Sequence, residues 1–225
     1  MAELHGDDAR HLTRVLRAEP GQRYEISDNR SACLAEIVEA RGERVVFRMI
    51  EPVDAPEPPV RITLCVALIK FDRFEWLVEK ATELGVDRIV PLETARSEKG
   101  LLEAAGKRAA RWTRIARESS QQSRRLRVPE ILPAARFATS LDLESDHRYF
   151  LDENATVPLL RVLPSEHAPG DRVSLLSGPE GGWIGAERDA ALKAGWKAAS
   201  LGPQILRAET APMGAIAVLV NFWMS

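Results

Sequence analysis

Ser177-Gly178-Pro179-Glu180-Gly181-Gly182 and Leu201-Gly202-Pro203-Gln204-Ile205-Leu206-Arg207-Ala208-Glu209-Thr210-Ala211 are the two loops that decide the predicted fold. Each loop follows a short apolar run, and the residues between the loops are typical of a helix. Loops placed in this way indicate one ligand held at the carboxyl ends of neighbouring parallel strands. Glycine lets the backbone approach a ligand where a Cβ would block it. We therefore predict an enzyme with a nucleotide-like cofactor.

The residues upstream of these loops predict further strands and helices in alternation. Apolar runs predict strands at 60–69, 88–92, 149–151, 173–176 and 198–201. Apolar residues at helical spacing predict helices at 74–84, 101–122 and 210–223, with Trp76 on the apolar face of the first helix. Strands that alternate with helices are typical of a parallel α/β sheet.

Residues 1–52 have a different pattern, which predicts a small β-rich module. A short helix is predicted at 11–16, and strands are predicted at 24–27, 32–38 and 44–50. Asn29 and Gly42 fall between these strands, where hairpin turns are needed. The proline-rich segment 53–59 predicts a stiff connector, which leaves residues 60–225 as the second domain.

Charge is distributed unevenly along the 225 residues, whose formal net charge is −2. A basic segment of this kind indicates an anionic partner such as a nucleic acid. Against one acidic residue, Glu118, the segment 107–127 carries eight basic ones: Lys107, Arg108, Arg111, Arg114, Arg117, Arg124, Arg125 and Arg127.

Cysteine usage and hydropathy bear on the cellular compartment. Cys33 and Cys65 lie far apart in apolar runs, which predicts buried free thiols in a reducing environment. The N-terminus has no apolar signal-peptide core, and no run reaches the roughly 18 apolar residues that a membrane span needs. A soluble, cytoplasmic protein is therefore expected.

The two loops differ in the chemistry that they offer. The first could be a tight strand-to-helix turn or an anion cradle, but no lysine and hydroxyl follow it in the Walker pattern. Glu180 would repel a phosphate there, so a cationic or neutral ligand fits better. In the second loop Arg207 is a candidate functional cation, whereas Glu209 could either act in the site or complement the positive end of the last helix.

Six motifs occur in an order that resembles a known family: Lys70–Trp76, Lys80–Val86, Arg96-Ser97, Gln122-Ser123-Arg124 with Val128-Pro129, Gly178–Gly182 and Ile205–Ala211. The set covers nearly the whole chain and resembles the RsmE-type methyltransferases of the SPOUT superfamily, which methylate N3 of a uridine in bacterial 16S ribosomal RNA. The resemblance implies a parallel α/β sheet with a C-terminal trefoil knot, S-adenosylmethionine as cofactor, a homodimer, and an N-terminal PUA-like RNA-binding β-barrel. It also implies 16S rRNA of the small ribosomal subunit as partner, and neither a metal nor a membrane.

Two departures from the family pattern affect these expectations. Only ten residues precede the segment His11–Arg17, where relatives carry a longer stretch with a first strand. This departure points to a truncated start and an incompletely closed barrel. Pro203 stands where relatives often carry a polar or basic residue. We therefore expect this loop to act through its backbone rather than through a side chain at position 203.

The chemistry of this reaction and the charge pattern together suggest candidate site residues. Arg207 would stabilise negative charge on the uracil, and Glu180 or Glu209 would accept the N3 proton, since arginine cannot serve as a base. Asp152 and Glu153 would form another wall of the pocket or a solvated strand end. The candidate cofactor-binding residues are Leu151, Leu176, Ser177, Gly178, Glu180, Gly181, Gly182, Leu201, Gly202, Ile205 and Leu206. The candidate RNA-binding residues are His11, Arg14, Arg17, Arg96, Arg108, Arg111, Arg124 and Arg125.

Two other functions remain open from the residues alone. One is a non-catalytic RNA-binding factor for ribosome assembly, which would keep the fold but need no cofactor pocket. The other is a SPOUT methyltransferase that acts on another RNA position, such as a ribose 2′-oxygen or a different base.

Overall fold

The computed structural model describes residues 1–54 and 57–225, which belong to two compact units that divide between residues 56 and 57. Of the predicted connector 53–59, residues 55 and 56 lie outside the described residues. Its first residue, Val53, is the last residue of a strand, and the next strand begins at Val60.

The N-terminal unit is an antiparallel sheet with one short helical segment. Its elements are β1 (Ala2–His5), α1 (Gly6–Arg10), a π-helix (His11–Val15), β2 (Arg23–Ser27), β3 (Ala32–Arg41) and β4 (Arg44–Val53). The prediction of a helix at 11–16 was therefore wrong in its start and its type. Asn29 and Gly42 have the positive φ angles, 71° and 55°, that tight turns between strands require.

The sheet order in this unit is β1-β4-β3-β2, and Ile37 and Phe47 form its small core with Ala9 of α1. A strand does precede the segment His11–Arg17, because β1 pairs with β4 from Ala2 opposite Phe47. Within residues 1–54 the edge strands β1 and β2 do not pair with each other. The expected barrel is thus an open antiparallel sheet in the residues described.

The second unit is an α/β structure, as the sequence predicts. Its strands are β5 (Val60–Ala67), β6 (Arg88–Glu93), β7 (Glu130–Ile131), β8 (Ala135–Arg136), β9 (His147–Leu151), β10 (Asp171–Ser177) and β11 (Lys197–Ala199). Its helices are α2 (Phe71–Glu83), α3 (Leu101–Gln122), α4 (Phe137–Ser140), α5 (Leu159–Val162), α6 (Gly185–Lys193) and α7 (Thr210–Trp223).

All strand pairings in this second sheet are parallel over residues 57–225, and the order is β11-β9-β10-β5-β6-β7, with β8 also pairing with β6. Both faces of the sheet are buried, as is usual for parallel sheets. Leu64 packs into a core shared with α2, α3 and α7, whereas its neighbour Cys65 packs into a second core with Trp183 and Trp196.

One aromatic residue of α2 departs from the prediction. Phe74, Leu77 and Val78 recur at helical spacing and are fully buried against the sheet. Trp76 lies between them in sequence and therefore points away from this stripe, where it is 43% exposed. The placement of Trp76 on the apolar face was wrong, whereas Trp223 of α7 is buried.

Candidate functional site

The loops that follow β9, β10 and β11 enclose a cleft of about 600 Å³ at the carboxyl edge of the sheet. β9 pairs with both β10 and β11, so the carboxyl ends of these parallel strands lie side by side. Cofactor and small-molecule sites usually measure roughly 300–1,000 Å³. The two loops predicted from the sequence therefore meet in one pocket of suitable size.

The first loop, residues 178–182, is named the glycine loop. A Cβ added to Gly178 would lie 2.9 Å from Cε2 of Trp183, closer than side-chain carbons pack. Trp183 is buried, and its Nε1 donates a hydrogen bond of 2.8 Å to the carbonyl oxygen of Leu151. The indole thus joins the end of β9 to the loop after β10, and only glycine at position 178 leaves room for it.

Arg188 of α6 fixes the acidic end of β9 against the same loop. Its Nε and Nη2 donate to the two carboxylate oxygens of Asp152 at 2.8 and 3.0 Å, and its Nη2 donates to Glu153 at 2.9 Å. The hydrogen bond with Asp152 is the main cause that raises the pKa of Arg188. Gly182 has a φ of 69°, and a Cβ there would lie 2.3 Å from Oε1 of Glu153. Asp152 and Glu153 are therefore part of the pocket wall.

The loop after β6 is tied to the glycine loop by hydrogen bonds. The guanidinium of Arg96 donates to the carbonyl oxygen of Gly181. Glu187, which is buried, accepts from the backbone nitrogen of Ala95 at 2.8 Å and from that of Ile184 at 3.2 Å. Glu187 therefore fixes Ala95, and this holds the adjacent Arg96 at the rim of the cleft.

The second loop, residues 200–209, presents apolar side chains to the cleft. Ser200 Oγ accepts a hydrogen bond from the backbone nitrogen of Gly202 at 3.2 Å, and Gly202 has a φ of 134°. Further along the loop, Ile205 is 86% exposed and Leu206 is also exposed. Exposed aliphatic side chains beside a polar backbone suit a flat, partly polar ring such as a purine.

Four further charged residues lie at or beside this cleft. Arg207 is exposed, and its Nη1 lies 4.0 Å from Oε1 of Glu209. Glu209 is buried just before α7, and its Oε2 has no hydrogen-bond partner among the described residues. The positive end of the helix dipole compensates part of this charge. Glu180 forms an ion pair with Arg73 of α2.

The structure brings most of the predicted cofactor residues together. Two predicted residues are not in the cleft lining: Leu176, whose side chain is fully buried in the core beneath the loop, and Glu209. The side chain of Leu176 belongs to the sheet core, and the contact of its backbone with the cofactor stays a prediction. The predicted residues that line the cleft are Leu151, Ser177, Gly178, Glu180, Gly181, Gly182, Leu201, Gly202, Ile205, Leu206 and Arg207.

Sequence reasoning missed three residues that shape the site. Arg73 and Trp183 line the cleft, and Arg188 holds the end of β9. The one available signal was Trp183, an aromatic residue directly after two glycines. Nothing in the sequence links Arg73 to Glu180, because the two positions are 107 residues apart.

The predicted basic stripe on α3 is partly neutralised by α2. Arg108 and Arg111 both bind Glu75, at 3.5 and 2.7 Å, and the guanidinium of Arg108 lies 5.1 Å from the centre of the Phe71 ring. Arg114 lies 3.7 Å from Glu118. These arginines remain at the surface. In the N-terminal unit, His11, Arg14 and Arg17 are also exposed.

Arg125 has a structural role, and its contacts argue against the prediction that it binds RNA. It is only partly exposed, and its Nη1 donates to the carbonyl oxygens of Thr82 and Val86 at 2.6 and 2.9 Å. Burial lowers the pKa of Arg125, while the nearby Asp87 acts in the opposite direction. The guanidinium thus caps the end of α2. By contrast, Arg124 is exposed, with a left-handed φ of 56°.

Residues 1–54 and 57–225 contain neither a metal-binding cluster nor a membrane-spanning helix. No group of three or more histidine, cysteine or acidic residues in this part of the chain could hold a metal ion. None of the helices described is long and apolar enough to cross a membrane. Cys33 and Cys65 are free and buried, as predicted.

Comparison with known proteins agrees with the geometry of the cleft. Residues 56–220 match the model of a family described as an RNA methyltransferase domain. Ribosomal RNA small subunit methyltransferase E of Mycobacterium bovis is 31% identical over 99% of this chain and 88% of its own length. The protein of the same name from Bacillus subtilis is 28% identical over 96% of this chain and 88% of its own length.

Solved structures give the same result. Ribosomal RNA small subunit methyltransferase E of Neisseria gonorrhoeae, bound to S-adenosylmethionine, superposes with a TM-score of 0.88 at 31% identity, over 99% of this chain and 92% of that one. A Legionella pneumophila protein in complex with the same molecule has a TM-score of 0.87 at 28% identity, over 98% of this chain and 91% of that one. By this similarity over nearly its whole length, the chain belongs to the RNA methyltransferase domain family and, within it, to the ribosomal RNA small subunit methyltransferases E.

Proposed function

We propose that this protein transfers a methyl group from S-adenosylmethionine to N3 of a specific uridine in the 16S rRNA of the small ribosomal subunit. The observation that carries the proposal is the glycine-lined cleft with the exposed guanidinium of Arg207 at its edge. The solved relative from Neisseria gonorrhoeae, which binds S-adenosylmethionine, supports the choice of cofactor. The names of the relatives support ribosomal RNA as the substrate, and with it a site of action in the cytoplasm.

The residues present fit this cofactor. Gly178 and Gly182 lack the Cβ atoms that would collide with Trp183 and Glu153, so their backbone can line the pocket. Backbone groups of the glycine loop and of residues 201–206 would hold adenine and ribose, beside the aliphatic side chains of Ile205 and Leu206. When bound, S-adenosylmethionine supplies a methyl group on a positively charged sulfur, which is already activated for transfer.

The chain must therefore align the uridine and favour loss of its weakly acidic N3 proton. We assign Arg207 to stabilising the negative charge that develops on the uracil, a contribution that preorganised charged donors make in many enzymes. Glu180 lines the cleft and is the carboxylate that we assign as the acceptor of the N3 proton. Glu209 does not line the cleft, so we assign it to positioning Arg207 across their 4.0 Å contact.

RNA binding would use separate basic surfaces on the two units. On the N-terminal domain, residues 1–52, these are His11, Arg14 and Arg17. On the second domain, residues 60–225, the exposed residues Arg96, Arg108, Arg111 and Arg124 would contact phosphates. Contacts of this kind make affinity fall steeply with salt.

We also propose that the second domain carries a trefoil knot and that the protein is a homodimer. The half-exposed Trp76 and the small exposed Gly214 of α7 support close packing of a second copy on helices α2 and α7. Light scattering on the purified protein tests the dimer. A monomeric mass at micromolar concentration would contradict it.

Titration calorimetry with S-adenosylmethionine tests whether the chain is an enzyme or an RNA-binding assembly factor, since a pure binder needs no cofactor. We expect saturable binding with one site per chain. In Arg207→Ala this affinity should be retained, while turnover on small ribosomal subunits should fall by about 10²–10³, the usual cost of removing a charge-stabilising donor. Arg161→Ala, at an exposed arginine of α5, is the matched control and should retain turnover. Near-normal turnover in Arg207→Ala would remove that residue from the mechanism.

A further inference from the structure

The ion pair between Arg73 and Glu180 lies at the open side of the cleft. Both side chains are substantially exposed, by 39% and 48%. Exposed ion pairs contribute little to stability, because water screens them and ordering two long side chains costs entropy. A guanidinium held in this way can exchange its partner at little cost.

The helix that carries Arg73 also packs against basic residues of α3. Glu75, two positions further along α2, binds both Arg108 and Arg111 of that surface. The guanidinium of Arg108 lies over Phe71, the first residue of α2. Positive groups therefore lie along α3 beside α2, in addition to Arg73 at the edge of the cleft.

On the neighbouring side of the glycine loop, a second guanidinium is held in place. Arg96 donates one N–H to Gly181, and its carbon chain lies across that glycine, with Cδ 3.2 Å from the position of an added Cβ. A guanidinium has five N–H donors, so Arg73 and Arg96 both keep donors beyond their contacts with Glu180 and Gly181. Planar forks of this kind match the oxygens of a phosphate.

We propose that Arg73 is a phosphate-binding residue, which exchanges Glu180 for a phosphate of the RNA strand that enters the cleft. This inference rests on the proposed function, because it assumes an RNA substrate at this edge of the sheet. Arg96 binds the same strand from the other side of the glycine loop. The exchange leaves the carboxylate of Glu180 unpaired when the RNA is in place, at the position where a proton acceptor is needed.

The test is the binding of a fluorescently labelled oligouridine to the full chain, measured by anisotropy over a range of salt concentrations. In Arg73→Gln the dissociation constant should rise roughly tenfold, the factor for one charged hydrogen bond, and the slope of log affinity against log salt should fall by about 0.7–1. Arg73→Lys should keep the slope of the unaltered chain, because it keeps the charge.

Arg172→Gln is the matched control. Arg172 is an exposed arginine that binds a carboxylate, Asp146, at 3.1 Å, but it lies at the start of β10, at the end of the sheet opposite the cleft. This variant should bind oligouridine with the unaltered affinity and slope. Glu180→Gln removes the competing carboxylate and should bind oligouridine more tightly than the unaltered chain.

Three results would overturn the proposal: an unaltered slope in Arg73→Gln, unchanged or weaker binding in Glu180→Gln, or no oligouridine binding by the unaltered chain. The alternative anionic partner of Arg73 is the carboxylate of the cofactor, and titration calorimetry with S-adenosylmethionine tests this alternative. A weaker cofactor affinity in Arg73→Gln with normal oligouridine binding would assign Arg73 to the cofactor. These measurements involve no methyl transfer, so a result that overturns the role of Arg73 would leave the proposed function intact.

Discussion

Replacing Gly182 by alanine tests whether the backbone of the glycine loop is shaped by the absence of a side chain. Gly182 has a φ of 69°, and a Cβ at this position would lie 2.3 Å from Oε1 of Glu153. The left-handed conformation costs an alanine about 1–2 kcal/mol. Glu153 must also turn away, which breaks its 2.9 Å hydrogen bond with Arg188 and adds roughly 0–1 kcal/mol for a partly exposed pair.

The free energy of unfolding should therefore fall by about 1–3 kcal/mol, and the Tm by roughly 2–4 °C for each kcal/mol in a chain of this size. Because the loop lines the cleft, its displacement should also weaken the binding of S-adenosylmethionine. The dissociation constant rises about tenfold for each 1.4 kcal/mol of binding free energy that is lost. Differential scanning calorimetry measures the first effect, and titration calorimetry measures the second.

Gly185→Ala is the matched control, since Gly185 begins α6 only three residues later and an added Cβ there has no neighbour within 4 Å among the described residues. It should retain both Tm and cofactor affinity. Once Glu153→Ala has removed the collision and the hydrogen bond with Arg188, adding Gly182→Ala should cost only the backbone strain of about 1–2 kcal/mol. Unchanged cofactor affinity in Gly182→Ala would refute the assignment of this loop to the cofactor.

Two further predictions concern the cores on either side of the sheet. In urea unfolding, Trp183→Phe should destabilise the chain by about 1–3 kcal/mol more than Trp112→Phe does. Trp183 donates a buried hydrogen bond to Leu151, whereas Nε1 of Trp112 has no partner among the described residues. Equal losses would show that this bond contributes nothing. Burial raises the pKa of the Cys65 thiol to about 12, so neither Cys65 nor the buried Cys33 should react with Ellman's reagent until guanidinium unfolds the chain. Rapid reaction of the folded protein would contradict this.

The long helices were predictable because their signals are local. Apolar spacing gave α3 and α7 with the bounds that the structure shows, 101–122 and 210–223. The strands of the parallel sheet were found for the same reason, although several are longer than predicted. The two-residue strands β7 and β8 and the short helices α4 and α5 were not predicted, because segments of that length have no periodicity to detect.

The site was predictable as far as it consists of glycines and loop ends. Its ion pairs were not, since Arg73 and Glu180, like Arg188 and Asp152, are brought together by the sheet topology rather than by sequence spacing. Arg125 shows the same limit. Its sequence neighbours suggest a basic surface, but its guanidinium binds backbone carbonyls at the end of α2.

Mapping of the modified nucleotides in 16S rRNA, with and without the gene for this chain, tests the central claim most directly. The account predicts that one N3-methyluridine disappears when the gene is removed and returns when purified protein and S-adenosylmethionine are added to the unmethylated small subunits. Arg207→Ala should fail to restore it. An unchanged set of methylated nucleotides, or the loss of a methyl group from a ribose or from a different base, would contradict the account.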